Sequence, residues 1–183
     1  MKTSYLFLAE GFEEIEALAT LDIMRRAGMP VCSVSITDNH QVRGAHGVDV
    51  RADKLIAEVS EADAEFLICP GGMPGATNLA ACGRLCDMLK AHNAAGGNIA
   101  AICASPAVVL APLGILNGHK ATCYPGMEPV QVTEAEMTGA PVEQSGNIIT
   151  GNGPANSFAF ALAIVGKSCG AAKAGEVASG MLC

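Results

Sequence analysis

The chain has no tryptophan, and two tyrosines and five phenylalanines keep aromatic residues at 4%. Charge is also sparse, at 16% of residues against 50% hydrophobic, with alanine and glycine abundant. That balance suits helices packed closely on a buried sheet. Cationic residues are the scarcer charged class, 11 against 18 acidic, for a formal net charge of −7. The basic residues are scattered, so no cationic stripe exists to neutralise a phosphate backbone, and tight nucleic-acid binding is not expected. Long apolar runs are missing too: Tyr5–Ala9 is apolar only briefly before Glu10 and a cluster of acids. This is too short for a secretory signal or a membrane span, and a cytoplasmic location is the expectation.

Neither phosphate-cradling pattern, Gly-x-Gly-x-x-Gly or Gly-Lys-Ser/Thr, accompanies the glycines after Cys69. Eight cysteines are present, and without an export signal they are expected to stay reduced. Cys82, Leu85, Cys86 and Leu89 share a helical face, the pattern of a core stripe; no His or second cysteine pair completes a zinc set there. His40, His46, His92 and His119 are likewise unclustered in sequence, so neither a metal nor a cofactor is expected.

What is present is rhythm. At 183 residues the chain has the length of one domain. Short apolar runs bounded by Gly or Pro predict strands at Tyr5–Ala9, Val31–Ile36, Phe66–Cys69, Asn98–Ile102 and Ile148–Thr150. Between them, Ile15, Leu18, Ala19, Asp22 and Ile23 repeat with helical period, and Arg26-Ala27-Gly28 closes that helix. Further helices are expected over about Ala81–Ala95, Pro106–Leu113, Asn156–Val165 and Ala171–Leu182. Val42–Val50 reads as a hairpin insertion, and Tyr124–Pro141 as a long connection with at most a short helix. Alternating strands and helices imply right-handed crossovers and an α/β, mostly parallel, doubly wound sheet, with ligands outside the carboxyl ends of the strands.

Three features follow strand ends. Ala100-Ala101-Ile102 runs into Cys103, and Ser105-Pro106 starts a helix, so Cys103 is expected at a tight strand-to-helix elbow. The dipole of that helix is expected to lower the thiol pKa. The plainer alternative is a small buried cysteine among eight. After the first strand come Glu13, Glu14 and Glu16. Glu13 and Glu14 suit the helix N-terminus; Glu16 lies at the edge of the buried stripe, where partial burial would fit it to proton transfer, but Glu14 sits at a similar angle on the other edge. After the third strand, Pro70-Gly71-Gly72 could offer backbone donors beside the Ala104 amide, or be ordinary turn chemistry. A parallel sheet brings all three to one rim, as thiol-based carbonyl chemistry requires.

With Gly11–Glu16, Met24–Gly28, Pro70–Gly72, Ala100–Pro106 and Gly153-Pro154 leading into Ser157–Val165, the chain resembles the ThiJ/PfpI superfamily, in its DJ-one-like deglycase branch. The resemblance runs nearly end to end. It implies a flavodoxin-like three-layer sandwich, a single domain over residues 1–183 of the kind shared with class I glutamine amidotransferases, and a homodimer. It also implies that Cys103 is the nucleophile, that Glu16 is the carboxylate beside it, and that Gly71, Gly72, Ala104 and Tyr124 line the oxyanion and substrate site. Two positions depart from relatives: Tyr124-Pro125 stands where several have His-Pro, and Ala104 follows the cysteine where peptidase-like relatives have His. A peptidase or amidase is therefore disfavoured, and no residue supports a thiamine-pathway role.

The leading expectation is a cofactor-independent glyoxalase or deglycase acting on small reactive carbonyls such as methylglyoxal. The alternative is a redox sensor or stress-protective chaperone that works through oxidation of Cys103.

Overall fold

The computed structural model describes residues 1–129 and 134–183. In chain order its strands are β1 (Thr3–Leu8), β2 (Val31–Ser35), β3 (Gln41–Arg43), β4 (Asp49–Arg51), β5 (Lys54–Leu55), β6 (Ala64–Cys69), β7 (Asn98–Ile102), β8 (Lys120–Ala121), β9 (Glu136–Met137), β10 (Val142–Ser145) and β11 (Ile148–Gly151). The helices are α1 (Glu14–Arg26), α2 (Gly75–Ala81), α3 (Gly83–Ala94), α4 (Ser157–Cys169) and α5 (Ala171–Gly180).

Seven strands form one sheet in the order β10-β11-β7-β6-β1-β2-β5, parallel throughout except for the β10–β11 edge pair. The central strands alternate between two apolar faces. Leu6, Leu8, Phe66, Ile68, Ala100, Ile102 and Ile149 point into a core that includes Ala17, Leu21, Met24, Phe160 and Ile164 of α1 and α4. Phe7, Leu67, Cys69, Ile99, Ala101 and Ile148 face the opposite layer, with Leu79, Leu85, Met88, Leu89 and Leu110. Burial on both faces explains why these strands read as continuous apolar runs, and it makes a mostly parallel, flavodoxin-like sandwich.

From β1 the chain winds outward through β2 to β5, then returns to β6 on the other side of β1. The winding reverses between β1 and β6, and a ligand crevice forms outside the carboxyl ends of such strands. The three expected features lie on this rim.

Several expectations shift. The apolar repeat placed Ile15 and Leu18 toward the core, yet they are 55% and 38% exposed. The buried residues of α1 are Glu14, Glu16, Ala17, Thr20, Leu21, Ile23 and Met24, so two acids turn inward and, of the expected repeat, Ile23 is buried. The predicted helix near Ala81–Ala95 starts at Gly83, and a separate α2 precedes it. Leu85 and Leu89 enter the core, and Cys82 and Cys86 at the start of α3 are partly buried, Cys82 packing against that core. All eight thiols are free. The helix expected over Pro106–Leu113 is a wide turn over Pro106–Leu110, with an Ala111 N–H bond to the Pro106 carbonyl five residues back. The Val42–Val50 hairpin forms, as antiparallel β3 and β4. Within the expected Tyr124–Pro141 connection, residues 130–133 lie outside the described residues; beyond them β9 pairs with β8 in place of a helix. Among the described residues no helix is long and apolar enough to cross a membrane.

Away from the site, His92 of α3 is buried, its ring packed where a Cβ on Gly97 would sit. Burial lowers its pKa below the usual 6.5. The unfolded chain therefore binds a proton near pH 6.5 that the folded chain refuses, and stability drops as pH falls through that value. Urea midpoints at pH 7.5 and 5.5 should differ less in His92→Gln than in the wild type; an unchanged difference would mean His92 does not contribute to the acid limb.

Candidate active site

Cys103 follows β7 with φ of 64°, a left-handed backbone that non-glycine residues adopt at a cost of roughly 1–3 kcal/mol. Two backbone bonds over-determine it. The Cys103 N–H donates to the Gly151 carbonyl at 2.9 Å, and the Tyr124 N–H donates to the Cys103 carbonyl at 2.8 Å. Two residues on, the buried Ser105 hydroxyl donates to the Pro70 carbonyl and ties the elbow to the glycine turn after β6. The side chain keeps a small opening, at 8% exposure.

Glu16 reaches the elbow because the start of α1 is fixed. Glu13 is the N-cap, and its carboxylate accepts the Glu16 N–H at 2.8 Å. The Thr20 hydroxyl donates to the Glu16 carbonyl one turn on. Fully buried, Glu16 accepts the Gly71 N–H on Oε2 at 2.7 Å, while Oε1 has no conventional hydrogen-bond partner. Gly71 stands between acid and thiol: a Cβ built on it would lie 2.6 Å from Cys103 Cβ and 2.8 Å from Glu16 Oε2. Only glycine fits there. Its neighbour Gly72, at φ 90°, turns its amide toward the sulfur, as does Ala104.

The periodicity that left Glu14 and Glu16 equivalent is resolved by their partners. Glu14 accepts N–H groups from His46 and Val48 and pairs with His46 Nδ1 at 2.8 Å, bolting the hairpin to α1. Burial alone would raise the Glu14 pKa, but these bonds outweigh it and lower it. Among the described residues Glu13, Glu14 and His46 are the group of His, Cys, Asp or Glu close enough to hold a metal ion. Glu13 already caps α1 and Glu14 already holds His46, which gives this group a structural role.

The electrostatics overturn one expectation. Burial pushes Glu16 up to about 7, against the lowering effects of the Gly71 amide and the Cys103 thiol. Cys103 is raised to about 12, by burial first and then by the Glu16 charge and hydrogen bond, while the Gly72 and Ala104 amides pull it down. Glu16 and Cys103 share one dry site, so burial raises both and a negative charge on either raises the proton affinity of the other. What the geometry provides is a carboxylate with a pKa near neutrality beside a thiol whose proton it can take, with two backbone donors alongside.

The sequence suggested Gly71 as an oxyanion donor, but its amide is engaged by Glu16, leaving Gly72 and Ala104 beside the sulfur. Tyr124 adjoins the elbow through its backbone, and the residue is 47% exposed. Not anticipated were the spacer role of Gly71, the capping of α1 by Glu13 and the Ser105 tie. The Pro-Gly-Gly run was the available signal for the first.

The sequence matches the DJ-1/PfpI family over residues 2–167. It is 35% identical over 182 residues to protein DJ-1 homolog A of Arabidopsis thaliana, covering 99% of this chain but 46% of that protein. It is 35% identical over 158 residues to glutathione-independent glyoxalase DJR-1.2 of Caenorhabditis elegans, covering 85% and 82%. The structure of oxidized Toxoplasma gondii DJ-1 superposes with a TM-score of 0.93 at 38% identity, covering 100% of this chain and 98% of that one.

Replacing Glu16 by Gln removes the negative charge that raises the Cys103 pKa. Iodoacetamide alkylation of Cys103 at pH 7 should accelerate by about tenfold or more, the factor carried by each pKa unit. An unchanged rate in Glu16→Gln would show that the acid does not control the thiol, and a slower one that it acts on the sulfur as a base rather than by its charge.

Proposed function

The chain belongs to the DJ-1/PfpI family, and we propose that within it this protein is a cysteine-dependent, cofactor-independent glyoxalase that converts small 2-oxoaldehydes such as methylglyoxal to 2-hydroxy acids. The observation that carries this reading is the buried Glu16–Cys103 pair, an acid with a pKa of about 7 touching a thiol. Its family relative in Caenorhabditis elegans, a glutathione-independent glyoxalase, supports the same reading.

In this mechanism ionised Glu16 takes the Sγ proton as sulfur adds to the aldehyde carbon. The Gly72 and Ala104 amides beside the sulfur hold the developing oxyanion. The proton passes from Glu16 to that oxygen, which gives a neutral hemithioacetal and restores the carboxylate. Glu16 then removes the C1 hydrogen, and reprotonation at C2 leaves a thioester of the hydroxy acid on Cys103. Water cleaves the thioester, releasing lactate and the free thiol. One water is added overall, and the oxidation of C1 balances the reduction of C2. Every proton transfer uses one carboxyl group, so no second base is needed where Tyr124 replaces the histidine of some relatives. Deglycation of glycated side chains would use the same thiol and acid. The exposed apolar side chains Ile15, Leu18 and Val48 on α1 and the hairpin suit the homodimer that the resemblance implies.

A second reading, oxidation sensing, draws on the same atoms. Peroxide oxidation of Cys103 would place an acidic oxygen near the unpartnered Glu16 Oε1, and a protonated Glu16 could donate to it.

Purified protein should form lactate from methylglyoxal without glutathione. Cys103→Ala should abolish turnover, and Glu16→Gln should lower kcat by about 10²–10⁴-fold, the range for a positioned proton-transfer group. Because Glu16 must be ionised to start, kcat/KM should rise from pH 6 to pH 8 with a midpoint near 7, and Glu16→Gln should lack that limb. Absent wild-type turnover together with ready oxidation of Cys103 would favour the sensor.

A further inference from the structure

A cavity of about 360 Å³ is lined by Tyr124, Pro125, Asn152, Pro154 and Asn156 among others. Its walls start at the backbone partners of Cys103: Tyr124 donates to the Cys103 carbonyl, and Asn152 directly follows Gly151, which accepts the Cys103 N–H. The volume is at the small end of ligand sites, about 300–1,000 Å³, and far exceeds what a three-carbon dicarbonyl fills.

The lining chemistry is specific. Among the described residues no charged side chain lines the cavity. Asn156 Nδ2 donates to Asn152 Oδ1 at 2.8 Å, which fixes both amides. With that bond made, the Nδ2 donors of Asn152 and the Oδ1 acceptor of Asn156 are left for a ligand, and Tyr124 adds a hydroxyl and, with two prolines, apolar surface to the lining. A carboxylate or phosphate tail would find no cation here, on a chain whose net charge is −7. A bare hydrocarbon tail would leave the amides unpaired. A chain of neutral hydroxyl groups satisfies both constraints, since hydroxyls both donate and accept and their carbon skeleton packs on the rings.

We propose that Tyr124, Asn152 and Asn156 form a subsite for a neutral, hydroxylated tail, so that the substrates include 2-oxoaldehydes derived from sugars. The proposal rests on the glyoxalase reading for its chemistry, and the cavity assigns the tail. With 3-deoxyglucosone as probe, the steps at C1 and C2 are those of methylglyoxal: sulfur adds to the aldehyde, a proton moves from C1 to C2, and water releases a hydroxylated 2-hydroxy acid. Its C3–C6 chain occupies the subsite.

The test compares kcat/KM for 3-deoxyglucosone, methylglyoxal and the apolar phenylglyoxal. The wild type should prefer 3-deoxyglucosone to phenylglyoxal. Asn152→Ala, Asn156→Ala and Tyr124→Phe should each reduce the 3-deoxyglucosone to methylglyoxal ratio about fivefold, the factor that one neutral hydrogen bond supplies. Equal losses for both substrates, or a wild-type preference for phenylglyoxal, would overturn the subsite.

Binding of 3-deoxyglucosone to Cys103→Ala separates this from the reaction itself. The chain has two tyrosines and no tryptophan, so Tyr124 supplies much of its ultraviolet fluorescence. Saturable quenching that Asn152→Ala weakens, in a protein inactive on all three aldehydes, would keep the subsite and reject the glyoxalase reading. Turnover without saturable binding or discrimination would do the reverse.

Discussion

A single proton shared between a buried carboxyl and a buried thiol organises this molecule. Glu16 has no exposed surface and is reached by one backbone N–H; Cys103 sits across a glycine that leaves no room for a methyl group. Isolating a carboxylate from water is costly, and the fold meets that cost partly by raising its proton affinity and partly with the Gly71 amide. The remaining tension falls on the sulfur, whose proton affinity burial and the neighbouring acid both raise.

The sheet places these groups with little help from side chains. β1, β6 and β7 are adjacent and parallel, with Cys69 opposite Ala101 in register, so the three turns that follow them open on one rim. Cross-links between turns then remove slack: Ser105 to Pro70, Glu13 to the start of α1, and Tyr124 to the Cys103 carbonyl. Exposed ion pairs such as Arg26–Asp22 and Lys173–Glu176 contribute about 0–1 kcal/mol each. Fully burying Phe7, Phe66 and Phe160 is worth roughly 1.5–3 kcal/mol each. The precision of the rim depends on the two apolar layers.

The fold was legible in the sequence because its central strands are buried on both faces and its turns carry Gly and Pro. Asn98–Ile102 falls on the expected residues, and the Val42–Val50 hairpin and the break before α5 appear where glycine punctuates the chain. The orientation of α1 was not legible: Ile15 and Leu18 follow a good apolar period, but a buried acid, its cap and Thr20 turn the helix. The α2 helix was missed because its sequence is small and unpatterned. Local helix signals point to a lowered Cys103 pKa, whereas burial first, and then a residue far earlier in the chain, raise it. Sequence spacing places groups on a rim; it does not show which of them exclude water.

The left-handed turn at Cys103 also sets what a substitution there would do. Glycine alone would adopt that conformation without steric penalty, so every other side chain at this bend inherits the same backbone cost and differs only in how it fills the space beside Gly71.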